Sequence, residues 1–204
     1  KTCSKIASGK DDYLITIGIK PNYPATGYGY IKQGRAVCRK GAKVFYAVEK
    51  FIEKPDRQRA RRFAASAQYS WNSGMFVWSA QAILKAITQH LPEIGKKLKS
   101  VFACPGGKRE ALLKKIYPSL PSISIDYGVM EKHKNVLVTP ADFKWDDIGS
   151  WEALQNHYVK DSQGNVKRGK LVSLDSSDCI VVSSKPLVGL LGVSGLIVAA
   201  TEDA

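Results

Sequence analysis

Short apolar segments rich in β-branched and aromatic residues alternate with helical patterns over roughly the first 160 residues. The segments at 13–19, 44–52 and 136–138 have the composition of strands that are buried or half-buried in a sheet. Pro55 lacks the backbone N–H that a sheet ladder needs, so the second strand ends just before it. Strands that alternate with helices predict an α/β fold with a mixed sheet.

Helical segments are marked by apolar residues that recur every three or four positions. After Asp56, which stands where a helix N-cap belongs, Ala60 and Ala64 follow this spacing. The same pattern and the intervening Pro and Gly residues predict three further helices, at 83–91, 94–101 and 110–116. A short helix is also expected at 151–158, with Ser150 as its cap.

Three other segments are predicted to be irregular. Residues 1–12 are polar and small, which indicates a poorly ordered start of the chain. Residues 35–43 are expected to form a basic turn that leads into the strand at 44–52. The segment at 71–78 is expected to begin with a polar turn and to continue as a short apolar strand.

The pattern changes after residue 160. Short β-branched segments now alternate with turns that contain Gly, Ser, Asp and Pro, and these segments are at 171–174, 179–183, 187–191 and 196–200. This spacing predicts a β-rich extension over 161–204 that is separate from the α/β part, with a boundary near residue 160.

Composition excludes several classes of protein. The 204 residues are 44% hydrophobic and 24% charged, as in an ordinary globular protein of one or two domains. No apolar run approaches the length of a membrane span, so we expect neither a membrane nor an export signal. The four cysteines are far apart and form no C-x-x-C pair, which favours a reducing cytoplasm over a disulfide framework or a zinc site.

The net charge of +13 admits nucleic acid, a membrane surface or an anionic small molecule as partner. The cationic residues are concentrated at 57–62, 96–99 and 108–115, where the sequence predicts amphipathic helices. No aromatic residues alternate with them, as a single-strand binder would require. We therefore interpret these clusters as solvated helix faces and expect no nucleic-acid partner.

Candidate chemistry begins where the strand at 44–52 ends. Glu53 and Lys54 lie at its carboxyl end, which is the edge where α/β sheets bind ligands. A carboxylate can accept hydrogen bonds from sugar hydroxyls, and an ammonium can bind a phosphate. A solvated turn is the alternative interpretation of the same residues. His90, His133 and His157 match no catalytic arrangement.

Five motifs together are more specific than any of them alone. In chain order they are T-G-Y-G-Y-I at 26–31, F-I-E-K-P-D at 51–56, W-N-S-G-M-F at 71–76, S-I-D-Y-G-V-M-E-K at 124–132 and W-D-D-I-G-S-W at 145–151. The series resembles the mannose-1-phosphate guanylyltransferases (GDP-mannose pyrophosphorylases) of the sugar-nucleotidyltransferase family. The likeness extends from about residue 12 to the end of the chain.

The resemblance implies roles for five residues. Gly29 would donate its backbone N–H to a sugar hydroxyl, and Glu53 and Asn72 would bind mannose hydroxyls. Lys54 would bind the sugar phosphate, and Asp147 would bind a Mg²⁺ ion that bridges phosphates. Plain turn roles remain the alternatives for Gly29, Asn72 and Asp147.

Physical chemistry is compatible with a single Asp of the motif W-D-D-I-G-S-W facing a binding site. Consecutive residues of an extended segment point to opposite sides, so only one of Asp146 and Asp147 can face a site. Mg²⁺ commonly takes one or two carboxylates together with phosphate oxygens. The reaction implied by the resemblance is the formation of GDP-mannose and pyrophosphate from GTP and mannose 1-phosphate, with Lys54 and Asp147 as the catalytic residues. Such chemistry needs positioning and charge neutralisation rather than a protein nucleophile.

One part of the family pattern is missing. The glycine-rich nucleotide loop, G-G-x-G-x-R-L-x-P, does not occur in these 204 residues. The resemblance therefore implies the later half of a Rossmann-like nucleotidyltransferase domain at 1–160, followed at 161–204 by the start of a left-handed β-helix-like segment. We expect the isolated chain to be inactive and to self-associate, with a homodimer as one form. Another sugar-1-phosphate nucleotidyltransferase or a catalytically dead regulatory subunit is the alternative interpretation, and a basic nucleic-acid module ranks third.

Overall fold

The computed structural model describes residues 1–9, 11–149 and 151–203. The chain divides into two compact units, Lys1–Lys144 and Trp145–Ala204. The described part of the first unit forms five strands: β1 (Leu14–Ile19), β2 (Tyr30–Lys40), β3 (Lys43–Ile52), β4 (Tyr69–Val77) and β5 (Val136–Pro140). Their order is β1-β4-β2-β3-β5, and β5 pairs in parallel with β1 and antiparallel with β3. The pairings therefore close on themselves, and the predicted mixed sheet within an α/β fold is confirmed.

Among the described residues, five α-helices accompany these strands: α1 (Thr2–Ala7), α2 (Arg57–Ala64), α3 (Ala80–His90), α4 (Pro92–Ala103) and α5 (Gly106–Ile116), and α5 is followed by a 3₁₀ turn at Tyr117–Ser119. The predicted cap of α2 is present, because the Asp56 carboxylate accepts a hydrogen bond of 2.8 Å from the Arg59 N–H. Ser79 caps α3 in the same way through the Ala82 N–H, at 3.0 Å. Local sequence signals thus place the helix starts that follow β3 and β4.

Two predictions of irregular structure, at the start of the chain and before β3, are wrong for most of their residues, although a turn at 41–42 does lead into β3. Residues 2–7 form α1, and Ala7 is buried against Ile15, Phe45 and Leu137. Residues 35–40 belong to β2, where Arg39 pairs with Val44 of β3. In both segments tertiary contacts supply what local propensity lacks, namely a buried apolar face for α1 and, for β2, antiparallel pairing with β3 that continues to Lys40 in spite of register shifts.

The predicted turn at the start of 71–78 is also wrong. Trp71 and Asn72 lie inside β4 and pair with β1 and β2. Gly74 adopts φ +71°, and the register between β1 and β4 shifts between Thr16 and Gly18. The polar residues are accommodated because a bulged strand can turn a side chain away from the regular alternation.

The main core of the first unit lies between the sheet, α3 and a π-helical turn at Asp126–Met130. Val129 and Met130 of this turn are fully buried against strand residues such as Leu14 and Val138. The core thereby attaches the Asp126–Met130 turn firmly to the sheet. Its first residue, Asp126, remains only half-buried.

In the second unit, residues 145–149 and 151–203 are described, and they form a 3₁₀ turn at Glu152–Asn156 and five short strands: β6 (Val166–Arg168), β7 (Leu171–Leu174), β8 (Ile180–Ser183), β9 (Val188–Leu191) and β10 (Ile197–Ala200). The strands pair in parallel as β6-β8-β10 and β7-β9. The predicted helix near 151–158 is this 3₁₀ turn, and its predicted cap, Ser150, lies outside the described residues. The domain boundary near residue 160 and the left-handed β-helix-like character of 161–204 remain predictions.

None of the helices in the described residues is both long enough and apolar enough to cross a membrane. The four cysteines, Cys3, Cys38, Cys104 and Cys179, are free thiols.

Candidate functional site

Strand register brings three of the predicted site residues together. Tyr30, the first residue of β2, pairs with the last residue of β3 on one side and with Trp71 of β4 on the other. Because both pairings are antiparallel, the residue before Tyr30 faces the residues that follow these two partners. Gly29, Glu53 and Asn72 are therefore neighbours, and the Asn72 N–H donates to the Gly29 carbonyl oxygen at 2.8 Å.

Gly29 is required at this position for steric reasons. A Cβ atom on Gly29 would overlap the Glu53 Oε2 atom and would lie 3.3 Å from the Asn72 Cβ. The carboxylate can lie against the backbone only because glycine has no side chain. The role of Gly29 that follows from its surroundings is close approach, while its predicted N–H donation to a sugar remains a prediction.

Replacement of Gly29 by alanine should displace the Glu53 carboxylate without unfolding the chain. The new methyl group meets the far end of a flexible side chain, which can rotate away. Loss of one well-placed hydrogen bond corresponds to about 0.5–1.5 kcal/mol, so sugar-phosphate binding should weaken roughly 2- to 13-fold. Isothermal titration calorimetry measures the affinity, and a thermal unfolding curve checks the fold. Wild-type affinity in Gly29→Ala would show that Glu53 need not occupy its present place.

Asn72 lies at the centre of a hydrogen-bond network. Its Oδ1 accepts from the Thr16 hydroxyl at 3.1 Å and from the Gly74 N–H at 3.2 Å. Its Nδ2 donates to Asp126 Oδ1 at 3.2 Å. Asp126 belongs to the S-I-D-Y motif, yet the sequence pattern assigned it no role in the site. No local signal could have found it, because 54 positions of chain separate the two residues.

Three acids meet at the end of β3. Glu131 accepts a hydrogen bond from the Glu53 backbone N–H at 3.2 Å. Glu53 Oε2 is buried and has no hydrogen-bond partner in the part of the chain that the structure describes. Burial raises the pKa of the Glu53 carboxyl, the charges of Asp126 and Glu131 raise it further, and Lys54 lowers it. A buried acceptor without a donor is the group that a ligand hydroxyl would satisfy.

The raised pKa of Glu53 makes stability depend on pH. The folded state binds more protons than the unfolded state between the ordinary value of 4.5 and the raised value. The stabilisation of the folded state by this proton binding is fully present below the ordinary pKa and is lost as the pH rises through the raised pKa. The amide in Glu53→Gln does not ionise, so this variant should gain free energy of unfolding relative to wild type from about pH 4 to about pH 7.

Urea unfolding at both pH values measures this gain. The matched control is Glu49→Gln, which lies on the same strand but forms an ion pair of 2.7 Å with Lys32. Glu49→Gln should show no such gain, because Glu49 has an opposite charge rather than like charges beside it. An equal pH response in both variants would contradict the repulsion described for Glu53.

Lys54 lies directly beside this cluster in the chain. Its side chain is exposed, and none of the described residues forms an ion pair or hydrogen bond with it. Its φ is +44°, which is the left-handed region that L-residues seldom adopt. The chain therefore turns away from the direction of β3 at Lys54, before Pro55 and α2. The sequence patterns did not predict this turn. A cation without an internal partner is suited to an anionic ligand group.

Asp147 belongs to the second unit. Its neighbour Asp146 accepts hydrogen bonds from Asn156 at 2.9 Å and from His157 at 3.0 Å. Asp147 is exposed, and its carboxylate accepts no hydrogen bond from a described residue. The Gly149 N–H donates to the Asp147 backbone oxygen at 2.7 Å, so a turn is present as well. Of the two adjacent acids, Asp147 is thus the one whose carboxylate is available.

Metal-ligating groups are sparse. Across residues 1–9, 11–149 and 151–203, no three His, Cys, Asp or Glu side chains form a group that could bind a metal ion. His90 Nε2 and His133 Nδ1 are 3.2 Å apart, and this pair lies on α3 and after the Asp126–Met130 turn. A metal at Asp147 would therefore need further ligands from bound phosphates or water.

Comparison with known proteins gives two family matches along the chain. A profile of the nucleotidyl transferase family matches residues 1–164. A profile of the MannoseP isomerase/GMP-like beta-helix domain matches residues 169–204. The first match covers more than half of the chain.

Individual relatives agree with the profiles. The xanthan biosynthesis protein XanB of Xanthomonas campestris pv. campestris (strain B100) is 41% identical over 202 residues, which are 97% of this chain and 41% of that protein. An Escherichia coli mannose-1-phosphate guanylyltransferase is 40% identical over 196 residues, or 95% of this chain and 41% of the relative. A solved structure from Thermus thermophilus, described as a mannose-1-phosphate geranyltransferase, has a TM-score of 0.81 and 36% identity. That likeness covers 100% of this chain and 57% of the solved one. This chain thus spans about two fifths of the curated relatives it matches, and with the nucleotidyl transferase profile extending over residues 1–164 it belongs to the nucleotidyl transferase family.

Proposed function

We propose that this chain carries the sugar-phosphate side of a mannose-1-phosphate guanylyltransferase, which forms GDP-mannose and pyrophosphate from GTP and mannose 1-phosphate. The observation that carries the proposal is the cluster built by strand register: Glu53 and Asn72 lie against Gly29, and Lys54 follows without an internal partner among the described residues. The names of the relatives agree with it.

The chemistry of the cluster fits a phosphorylated hexose. The Glu53 carboxylate accepts hydrogen bonds from hydroxyls, and the Lys54 ammonium binds the phosphate. In the proposed reaction an oxygen of the sugar phosphate attacks the α-phosphorus of GTP and forms the new P–O bond. The bond between the α-phosphorus and the α,β-bridging oxygen breaks, and the electron pair leaves with pyrophosphate. The residues of this chain bind and orient the attacking phosphate, which is the positioning that such a transfer requires.

We extend the proposal to Asp147 as a ligand of Mg²⁺. Its exposed carboxylate accepts no hydrogen bond from a described residue, whereas Asp146 is already used by Asn156 and His157. One carboxylate with phosphate oxygens and water is an ordinary environment for Mg²⁺. When bound, the ion neutralises phosphate charge. A cytoplasmic location is likewise part of the proposal, and the free thiols of all four cysteines support it.

Isothermal titration calorimetry with four ligands tests the function. The chain should bind mannose 1-phosphate more tightly than glucose 1-phosphate, which differs in the orientation of one hydroxyl. Free mannose should bind roughly 10- to 150-fold more weakly, because it lacks the phosphate for a charge-assisted hydrogen bond. GTP should not displace mannose 1-phosphate, since the two substrates must be bound together for transfer.

Other outcomes separate the alternatives. Equal affinity for the two sugar phosphates would point to a different sugar-1-phosphate nucleotidyltransferase. Absence of binding for every sugar phosphate would overturn the proposal. Light scattering in the same buffer measures the mass of the particle and tests the predicted homodimer.

A further inference from the structure

The carboxylate of Asp126 is placed by a rigid element. Asp126 is the first residue of the π-helical turn at Asp126–Met130, and the last two residues of this turn are almost completely buried in the main core. The Asp126 backbone oxygen also accepts a hydrogen bond of 3.0 Å from the Glu131 N–H. The backbone at Asp126 is thus anchored by the turn and by the core residues that follow it. Asp126 therefore offers Asn72 a stable acceptor.

The hydrogen bonds of Asn72 can be counted atom by atom. An amide oxygen has two lone pairs, and both are used here, by the Thr16 hydroxyl and by the Gly74 N–H. An amide nitrogen has two hydrogens, and one of them is donated to Asp126. One N–H of Asn72 therefore remains for a ligand.

The partners also determine which way the amide faces. A carboxylate can only accept, and a backbone N–H can only donate. If the amide rotated by half a turn, Nδ2 would face the Gly74 N–H and Oδ1 would face the Asp126 carboxylate. Both contacts would then be repulsive, so Asp126 and Gly74 together allow one orientation.

We propose that Asp126 is a positioning residue that orients Asn72 so that this amide is exclusively a donor toward the ligand. This inference rests on the proposed function and adds which ligand groups must accept a hydrogen bond and which must donate one. The ligand must accept a hydrogen bond from Asn72 through a hydroxyl oxygen and must donate a hydroxyl hydrogen to Glu53, whose Oε2 has no donor among the described residues. Neutral hydroxyl groups meet both requirements, and Lys54 takes the anionic end.

A double-mutant cycle tests this assignment. Asp126→Leu removes the acceptor and should weaken mannose 1-phosphate binding roughly 2- to 13-fold, the worth of one hydrogen bond. In an Asn72→Ala background the same change should have a clearly smaller effect, because there is no amide left to orient and only the influence of the Asp126 charge on Glu53 remains. Asp126→Asn, which can still present an oxygen, should restore most of the lost affinity.

The matched control is Glu131→Gln. Glu131 belongs to the same group of acids but accepts from the Glu53 backbone rather than from Asn72. Its effect on binding should add to that of Asn72→Ala. If the effects of Asp126→Leu and Asn72→Ala also add, Asp126 acts only through the general fold and the proposal is wrong.

Fluorinated sugars test the polarity directly. Replacing a hydroxyl by fluorine keeps a weak acceptor but removes the donor. The monodeoxy analogues of mannose 1-phosphate first identify the hydroxyl that contacts Asn72, because its removal should weaken binding to the wild type but not to Asn72→Ala. Replacing that hydroxyl by fluorine should leave the affinity of the wild type largely unchanged. The hydroxyl that contacts Glu53 should not tolerate it. The reverse pattern would overturn the assignment of donor and acceptor.

A ligand-free measurement keeps this inference separate from the proposed function. In NMR spectra of the chain, one Asn72 Nδ2 proton should be protected from exchange with solvent, and Asp126→Leu should abolish the protection. Protection without any sugar-phosphate binding would overturn the proposed function but leave the orientation of Asn72 by Asp126 intact. Equal exchange of both protons in the wild type would overturn the role of Asp126.

Discussion

Lys54→Ala should weaken the binding of mannose 1-phosphate roughly 10- to 150-fold, which corresponds to a charge-assisted hydrogen bond of about 1.5–3 kcal/mol. The ammonium of Lys54 is exposed and forms no ion pair with a described residue, so its removal breaks no such contact and withdraws only the charge that lowers the pKa of the Glu53 carboxyl. The φ of +44° strains lysine and alanine alike, because both have a Cβ atom. The change should therefore affect the ligand and leave the fold intact.

Calorimetric titration at low and high salt measures this effect. The wild-type affinity should fall as salt rises, because the attraction between ammonium and phosphate is screened, and the difference from Lys54→Ala should shrink. Lys50→Ala is the matched control, since Lys50 is an exposed lysine on the preceding strand, opposite Lys32 in the register. An equal loss in Lys50→Ala would mean that net charge, rather than the position of Lys54, attracts the ligand.

The largest effect on stability is expected from Phe45→Ala. Phe45 lies on β3 with 0% of its surface exposed and contacts Ala7, Ile15 and Leu137. Truncation of a buried phenylalanine removes its apolar transfer energy and leaves a cavity, which together cost about 3–5 kcal/mol of the free energy of unfolding. Because β3 also carries Glu53 and Lys54 at its end, ligand affinity should fall along with stability.

Hydrogen exchange followed by mass spectrometry measures the loss by segment. Peptides from β1, β3 and β5 should exchange roughly 160- to 5,000-fold faster in Phe45→Ala if exchange follows global opening of the first unit. Phe143→Ala is the same chemical change at a position where 48% of the side chain is exposed. It should alter the free energy of unfolding by no more than about 0.5 kcal/mol. A similar acceleration in both variants would contradict the assigned core.

Local signals predicted the elements correctly where one short stretch of chain contains the whole cause. The Asp56 cap of α2 is such a case, because donor and acceptor are three residues apart. Residues 35–40 are the opposite case. Their basic charge favours a turn by local criteria, yet they form β2 because β3 supplies a ladder partner. A pairing partner of this kind is invisible to a local pattern.

The site divides in the same way. Motifs singled out Gly29, Glu53, Asn72 and Lys54, and three of these lie together as neighbours around Tyr30. Asp147 lies in the other unit, and its role as a metal ligand remains a prediction. Asp126 and Glu131 emerged only with the structure, because their contacts to Asn72 and Glu53 span 54 and 78 positions of chain.

Residue chemistry and local spacing were therefore sufficient to predict an α/β protein and the end of β3 before Pro55, whereas the roles in sugar-phosphate binding came from the resemblance of five motifs to a family and remain predictions. The closed pairing of the five strands, the left-handed turn at Lys54 and the direction of the Asn72 amide came from the tertiary fold alone. The closed pairing and the Asn72–Asp126 hydrogen bond each depend on a partner that is distant along the chain, and a hydrogen bond exists only where folding has brought its donor and its acceptor together.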